Sequence, residues 1–379
     1  GNTATISECL KLDEDNKSGY SKEFYSASSE LREQYKKDEE VKEIINIALG
    51  LEGLRRQDGI HAAAVVISPD TITNFLPVQQ KGKEAELVTQ FEMHTVEQLG
   101  LLKMDFLGLR NLSVIDRTLE LIGDEKLDID NIPLDDKKTF ELLADGKMTG
   151  VFQLESRVAQ STSRSLKTNT FEDIVALVAL IRPGPLGAGM HNEFTDRATG
   201  RKDIEYLHKD LEEILSETYG VILYQEQVMQ IAQKISGFEL EEADELRKAM
   251  GKKIPKVMEK QREKFTIGAT KNGYSEQFAI ELFDQIAYFA GYGFNKSHSV
   301  PYALLAYQTA YLKANHPAEY IAACLTAVKR DKDRTAIFLS EARDLGVKVS
   351  TPDINESLED FSVSNNEIVF GISAIRNVG

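Results

Sequence analysis

Apolar positions follow two different rhythms along this chain. In EEVKEIINIALGLEGL, Val41, Ile44, Ile45, Ala48, Leu49 and Leu51 recur at helical spacing, and Gly50 and Gly53 mark the end. The preceding residues, 1–38, are polar and Ser-rich with weak helical character. After the helix the rhythm shortens. Ala63 to Ser68 reads as a strand, followed by a turn at Pro69-Asp70 and a short extended segment. LVTQFEM is a second predicted strand and Leu101–Phe106 a third, so residues 56–110 are predicted to form a small β-rich layer.

From about Asn111 the period turns helical and mostly stays so. LSVIDRTLELI is amphipathic, and LDDKKTFELLADG has an acidic start and a glycine stop. TFEDIVALVALI is apolar all round, which predicts a buried helix ending at Pro183. The segments YQEQVMQIAQKISGF, ELEEADELRKAMG, PKVMEKQREKFTIGATKNG, SEQFAIELFDQIAYFAG and PYALLAYQTAYLKANHP continue the pattern. Only residues 345–375 look extended again. The predicted class is α+β, predominantly α.

One strand raises a chemical question. In GLLKMDFLGL, alternation puts Leu102, Met104 and Phe106 on one face and Lys103 with Asp105 on the other. A buried, unpaired carboxylate is costly, so Asp105 needs a partner, a metal or water. A structural ion pair and a functional acid both fit the pattern.

Bulk properties narrow the classes. At 379 residues, two or three domains are expected. With 42% hydrophobic and 28% charged residues the composition is globular. No apolar run approaches a membrane span, and the N-terminus lacks the pattern of a secretory signal. It also lacks an initiator Met, which reads as a fragment or a processed chain. Cys9 and Cys324 are far apart without CxxC or CxxH neighbours, which argues against a zinc site and fits a reducing cytosol. A net charge of −16 disfavours indiscriminate nucleic-acid binding. The charge is uneven, however: Leu246 to Arg262 carries seven Lys or Arg residues against Glu259.

Three further constellations stand out. Arg247, Lys248, Lys252 and Lys253 crowd a corner where a helix is predicted to end at Gly251 and another to begin near Pro255. This is either a solvated basic face or a clamp for phosphate oxygens. GYGFNKSHSVPYALLAYQ places Gly291 and Gly293 in a loop, then Asn295, Lys296, Ser297 and His298, with Ser299 ahead of a helix that has Pro301 near its start. Such a helix N-terminus favours an anion, although a plain Ser cap fits too. Tyr302 and Tyr307 follow and read as core. Arg182 in LIRPGPLGAG sits on a predicted rigid turn, as a substrate contact or a structural bridge.

Taken together, KMDFLGLRNL, FQLES, LVALIRPGPL, YGVILYQEQVMQIAQKISGF, LRKAMGKK, FAGYGFNKSHSVPYALLAYQTAYLKANHPAEY and NEIVFGISAI resemble the C-family bacterial replicative polymerases, the DNA polymerase III alpha subunits. The resemblance runs over roughly residues 30–379, in order. It implies the end of a thumb at 1–55, part of a mixed-sheet palm of the polymerase-beta type at 56–110, and mostly helical fingers at 111–379. It implies that Asp105 is the third catalytic aspartate and a ligand to one of two Mg2+ ions. Lys103, Arg247, Lys248, Asn295, Lys296 and His298 are then implied to face the incoming nucleotide. Arg182, Lys252 and Lys253 are implied DNA or phosphate contacts. Primer–template DNA and deoxynucleoside triphosphates are the implied partners, with a sliding clamp and clamp loader reached through regions absent here, in the bacterial cytoplasm at the nucleoid and without a membrane.

The departures matter as well. The Pro-Asp-x-Asp-x-Asp motif that carries the family's other two aspartates is missing, so the isolated chain is expected to be inactive. Asp128 and Asp130 form a DxD, but in a polar connector, and the DED near the start is similarly placed. Ser156 to Leu166 is more polar than the Gly-Met-led helix the family has after FQLES, and Ala64 stands where the family has Gly. A non-catalytic nucleotide- or DNA-binding module of the same ancestry, or an error-prone accessory paralogue, is the alternative.

Overall fold

The change of period at Asn111 coincides with a division of the structure. In this computed structural model, residues 5–11, 22–54, 58–80, 86–252, 255–290, 292–375 and 377–378 are described. They form two units whose sequence boundary lies between Arg110 and Asn111.

The first unit opens with helices α1 (Ile6–Lys11), α2 (Lys22–Lys37) and α3 (Glu39–Leu51). The Asp38 carboxylate caps α3 by accepting from the amides of Glu40 and Val41. The β-layer that follows consists of strands β1 (Ala64–Ile67), β2 (Val78–Gln80) and β3 (Leu87–Thr89), helix α4 (Met93–Gln98) and strand β4 (Leu102–Asp105). β1 pairs antiparallel with β4, setting Ala64 opposite Asp105 and Ile67 opposite Leu102. β2 pairs antiparallel with β3. A small core of Leu76, Val96 and Leu101 holds the layer together. The second predicted strand is shorter than its apolar pattern suggested. It stops at Thr89, because Glu92 accepts from the amides of His94 and Thr95 and starts α4 inside the same run.

The second unit is helical. It begins with α5 (Arg110–Ile122), whose first residue belongs to the unit before. Next come α6 (Lys137–Ala144), α7 (Arg157–Leu166), α8 (Phe171–Leu180), α9 (Pro183–Gly187), α10 (Met190–Ala198) and the one-turn α11 (Glu212–Leu215). The series continues with α12 (Gln225–Ser236), α13 (Leu240–Lys252), α14 (Pro255–Lys271), α15 (Glu276–Ala290), α16 (Lys296–Asn315), α17 (Pro317–Val328) and α18 (Lys332–Asp344). Strands β5 (Ser362–Ser364) and β6 (Glu367–Val369) close the chain as a hairpin. Its tip, Asn365-Asn366, takes positive φ at both residues, as a two-residue hairpin turn requires. One apolar core joins α12 to α15 through Ile231, Phe265 and Phe283. Another joins α17 and α18 to the terminal hairpin through Ile321, Phe338 and Ile368.

From Asp173 to Leu180 the apolar α8 is buried on every face, as its composition predicts, and Thr170 with Asp173 forms a capping box at its start. Two local expectations are corrected. Arg182 does not sit on a plain turn: Pro183 occupies the first position of the short helix α9. The helix bearing the tyrosines starts at Lys296, not after Ser299, because the Asn295 side chain accepts from the His298 amide and serves as the cap. Ser299 is therefore inside the helix, buried, with its hydroxyl donating to the Val175 carbonyl. The Ser156–Leu166 stretch, polar as it is, still forms a regular helix, since Ser156 caps it and the buried Ser163 hydroxyl donates to the Leu143 carbonyl.

Candidate nucleotide-binding site

Asp105 and Lys103 lie in the first unit, and every other candidate lies in the second. β4 places both side chains on one face, and Lys103 Nζ sits 2.6 Å from Asp105 Oδ1. The hydrogen bond from Lys103 holds the Asp105 carboxyl below the usual carboxylate range. Lys103 is mostly covered, whereas 40% of the Asp105 side chain faces solvent. The acid thus has a partner and also an open side.

In the second unit the candidates converge on residues 292–298. Arg182, between α8 and α9, turns inward. Its Nε donates to the Ala179 carbonyl at 3.0 Å and its Nη2 to the Tyr292 carbonyl at 2.6 Å. Its guanidinium lies 4.2 Å from the Phe294 ring centroid. Burial lowers its pKa. Gly184, two residues on, allows this closure: a Cβ there would collide with the Tyr292 ring. Main-chain bonds pin the loop from a second side, with Phe294 N donating to Leu223 O and Gln225 N to Phe294 O. His298 is exposed, and its ring stacks on Tyr302 with centroids 4.3 Å apart and contacts Phe294 at 5.4 Å. Tyr307 is core, as its spacing suggested, and donates its hydroxyl to Pro133 O.

Arg247 and Lys248 share one carboxylate. Asp244 sits three and four residues before them on α13, so Oδ1 takes Arg247 Nη2 at 2.7 Å and Oδ2 takes Lys248 Nζ at 2.7 Å. Arg247 Nη1 also donates to Gln225 Oε1 at 3.3 Å. Lys296 is likewise engaged: its amide donates to the Glu226 carboxylate and its Nζ pairs with Glu217 at 2.5 Å. The favourable anion position at the start of α16 thus holds the chain's own carboxylate. Lys252 is the last residue of α13, and Lys253 and Gly291 lie outside the described residues.

Asp128 of the DxD caps a short turn by accepting from the Asp130 amide, and the early DED lies outside the described residues. Sequence reading missed Gln225, Asp244, Glu217 and Glu226. Only Asp244 carried a local signal, its helical offset from two cations. Gln225 meets Arg247 across 22 residues and Gly293 across 68, and Glu226 and Glu217 meet Lys296 across 70 and 79 residues of chain.

The comparisons with known proteins follow the same division. Residues 2–108 match the family model described as bacterial DNA polymerase III alpha NTPase domain, and residues 111–273 match the bacterial DNA polymerase III alpha subunit finger domain. The DNA polymerase III subunit alpha of Escherichia coli K12 is 49% identical over 368 residues, covering 94% of this chain and 32% of the relative. The chain belongs to the bacterial DNA polymerase III alpha-subunit family. The Thermus aquaticus alpha subunit is 48% identical over 359 residues, covering 92% of this chain and 29% of its own length. That of Mycobacterium tuberculosis H37Rv is 45% identical over 366 residues, covering 95% and 31%. The chain thus spans about a third of the length of the alpha subunits it matches. Residues 346–379 match a helix-hairpin-helix model. Among the described residues of that stretch the regular elements are the β5–β6 hairpin and a 3-10 turn at Ile372–Ala374.

Within this family the metal question can be tested on the residues present. No group of three or more His, Cys, Asp or Glu side chains that could hold an ion occurs among the described residues. Asp105 offers one carboxylate with an open side, which by itself does not make a metal site. No helix among the described residues is long and apolar enough to cross a membrane.

Proposed function

We propose that this chain serves template-directed DNA synthesis, the addition of deoxynucleoside triphosphates to a primer 3′ end on primer–template DNA. In this reading residues 1–55 act as the end of the thumb, 56–110 as part of the palm and 111–379 as the fingers. Asp105 contributes one carboxylate to a two-Mg2+ centre whose other acidic ligands are not in this sequence, and the ions would supply charge stabilisation to phosphoryl transfer. Lys103 orients that carboxylate and offsets phosphate charge. The site contributed by residues 182–302 binds the incoming nucleotide. Arg247 meets the triphosphate through the guanidinium N–H bonds that Asp244 and Gln225 leave open, and Lys248, on the same helix, adds positive charge beside it. Lys252 and Lys253, next in the sequence, are the proposed further DNA or phosphate contacts. Asn295 and Lys296 set the loop's exit into α16. His298 offers an N–H to a sugar hydroxyl or phosphate, with Tyr302 stacked beneath it. Arg182 acts from behind, holding the loop. Clamp and clamp-loader contacts, and a place at the nucleoid, belong to this reading as implications of family membership.

The observation that carries it is the exposed His298 ring, stacked on Tyr302, at the end of a loop that Gln225 ties to Arg247. The test is made in a full-length polymerase carrying this chain. His298→Ala should raise the nucleotide concentration needed for half-maximal rate while the melting temperature stays nearly unchanged. A stability loss with unchanged kinetics per folded molecule would reduce His298 to a packing residue. In the same enzyme Asp105→Asn should cost several powers of ten in rate with folding intact, and near-normal turnover would make Asp105 an ion-pair residue only.

A further inference from the structure

Arg247 is gripped on two edges. Asp244 Oδ1 accepts from Nε at 2.8 Å and lies 2.7 Å from Nη2, so one carboxylate oxygen holds one side of the guanidinium. Gln225 Oε1 accepts from Nη1 at 3.3 Å. A guanidinium carries five N–H bonds in a fixed plane. Among the described residues three are engaged, which leaves one on each terminal nitrogen for an anion.

Gln225 is itself fixed. Its backbone amide donates to Phe294 O at 2.9 Å, and its Nε2 donates to Gly293 O at 3.3 Å. That second bond determines which end of the amide faces Arg247. The Gln227 side chain braces the preceding turn by accepting from the amides of Leu223 and Tyr224. The orientation of Arg247 is therefore set by a residue locked to the loop that carries His298.

We propose that Asp244 and Gln225 are positioning residues for Arg247, holding its guanidinium plane so that the two remaining N–H bonds fork onto a nucleotide triphosphate; this rests on the nucleotide-binding reading of the same corner. The hydrogen bonds from Lys248 and then Arg247 hold the Asp244 carboxyl below the usual range, so it is ionised at neutral pH. An ionised carboxylate also repels a triphosphate through space. The two effects have opposite signs: a mere charge tightens nucleotide binding when removed, and a positioning group weakens it.

The test is steady-state primer extension by a full-length polymerase carrying this chain, with one nucleotide varied and primer–template saturating. Asp244→Asn and Gln225→Met should each raise KM about three- to tenfold with kcat changed by no more than about twofold. Gln225→Met should add nothing further in an Arg247→Ala background. Gln225→Glu keeps an acceptor for Arg247 but loses the Nε2 donor to Gly293 O that fixes it, so it should recover only part of the affinity lost in Gln225→Met. A lower or unchanged KM in Asp244→Asn would overturn the proposal, as would an equal Gln225→Met effect with and without Arg247. If Arg247→Ala raises KM but neither positioning variant does, positioning alone is refuted. If Arg247→Ala leaves KM unchanged, the nucleotide reading of the corner falls with it.

Discussion

Replacing Arg182 with Met should loosen the loop at residues 292–295 and lower the stability of the helical unit. The guanidinium donates to two main-chain carbonyls, Ala179 O and Tyr292 O, and stacks on Phe294. It also closes the C-terminal end of α8, where a cation complements the helix dipole. Hydrogen bonds from a charged donor contribute about 1.5–3 kcal/mol each, and a cation–π contact about 1 kcal/mol. These contacts share one group and do not simply add, so about 3 kcal/mol is the working figure for Arg182→Met. In a unit of 269 residues (111 to 379) that loss corresponds to about 6–12 °C in melting temperature. Arg182→Lys keeps the charge and one donor direction, so it should lose about half as much. The assay is thermal unfolding of the 379-residue chain, paired with amide hydrogen exchange at Phe294. The Phe294 amide donates to Leu223 O and should lose protection ahead of the α12–α15 core. Wild-type melting and unchanged Phe294 protection in Arg182→Met would refute the inward-facing role and return Arg182 to the pool of free surface cations.

Two further predictions address other parts of the helical unit. Lys313 is fully buried on α16 and donates to Lys147 O, Thr149 O and Glu341 Oε1 at 2.7, 2.8 and 2.6 Å. Lys313→Met should cost about 3–5 kcal/mol in denaturant unfolding, because it strands a carboxylate and two carbonyls. A loss below about 1 kcal/mol would contradict that accounting. Tyr274 donates to Asp210 Oδ2 at 2.6 Å, and this bond to a carboxylate pushes its phenol up to about 12. The raised pKa makes the stabilisation complete below about pH 10 and progressively lost as pH rises toward 12. An ultraviolet difference titration against Tyr274→Phe should find a late-ionising phenol that returns toward pH 10 in Asp210→Asn. The same midpoint in both backgrounds would refute the coupling.

The chain's own pattern decided most of its local structure. Alternation in GLLKMDFLGL placed Lys103 and Asp105 on one face of β4, and their ion pair follows from that period of two. The apolar IVALVAL run of α8 could satisfy its surface only by burial, and residues Asp173 to Leu180 are all buried. The offset of Asp244 from Arg247 and Lys248 likewise follows from the helical repeat alone. These relations are set within a few residues, where backbone geometry fixes which side chains are neighbours. What the charges of the candidate site do was decided elsewhere. Arg182 reads in sequence as either a substrate contact or a structural bridge on a turn, and only the closed chain shows that it faces Tyr292 and Phe294, 110 and 112 residues away. Lys296 reads as half of an anion site, yet Glu226 and Glu217 already hold it. Lys313 is one more cation on a helix until α18 brings Glu341 against it. Electrostatic energy depends on distance and on exclusion of water, and for residues far apart in sequence both are fixed only when the chain closes around its cores.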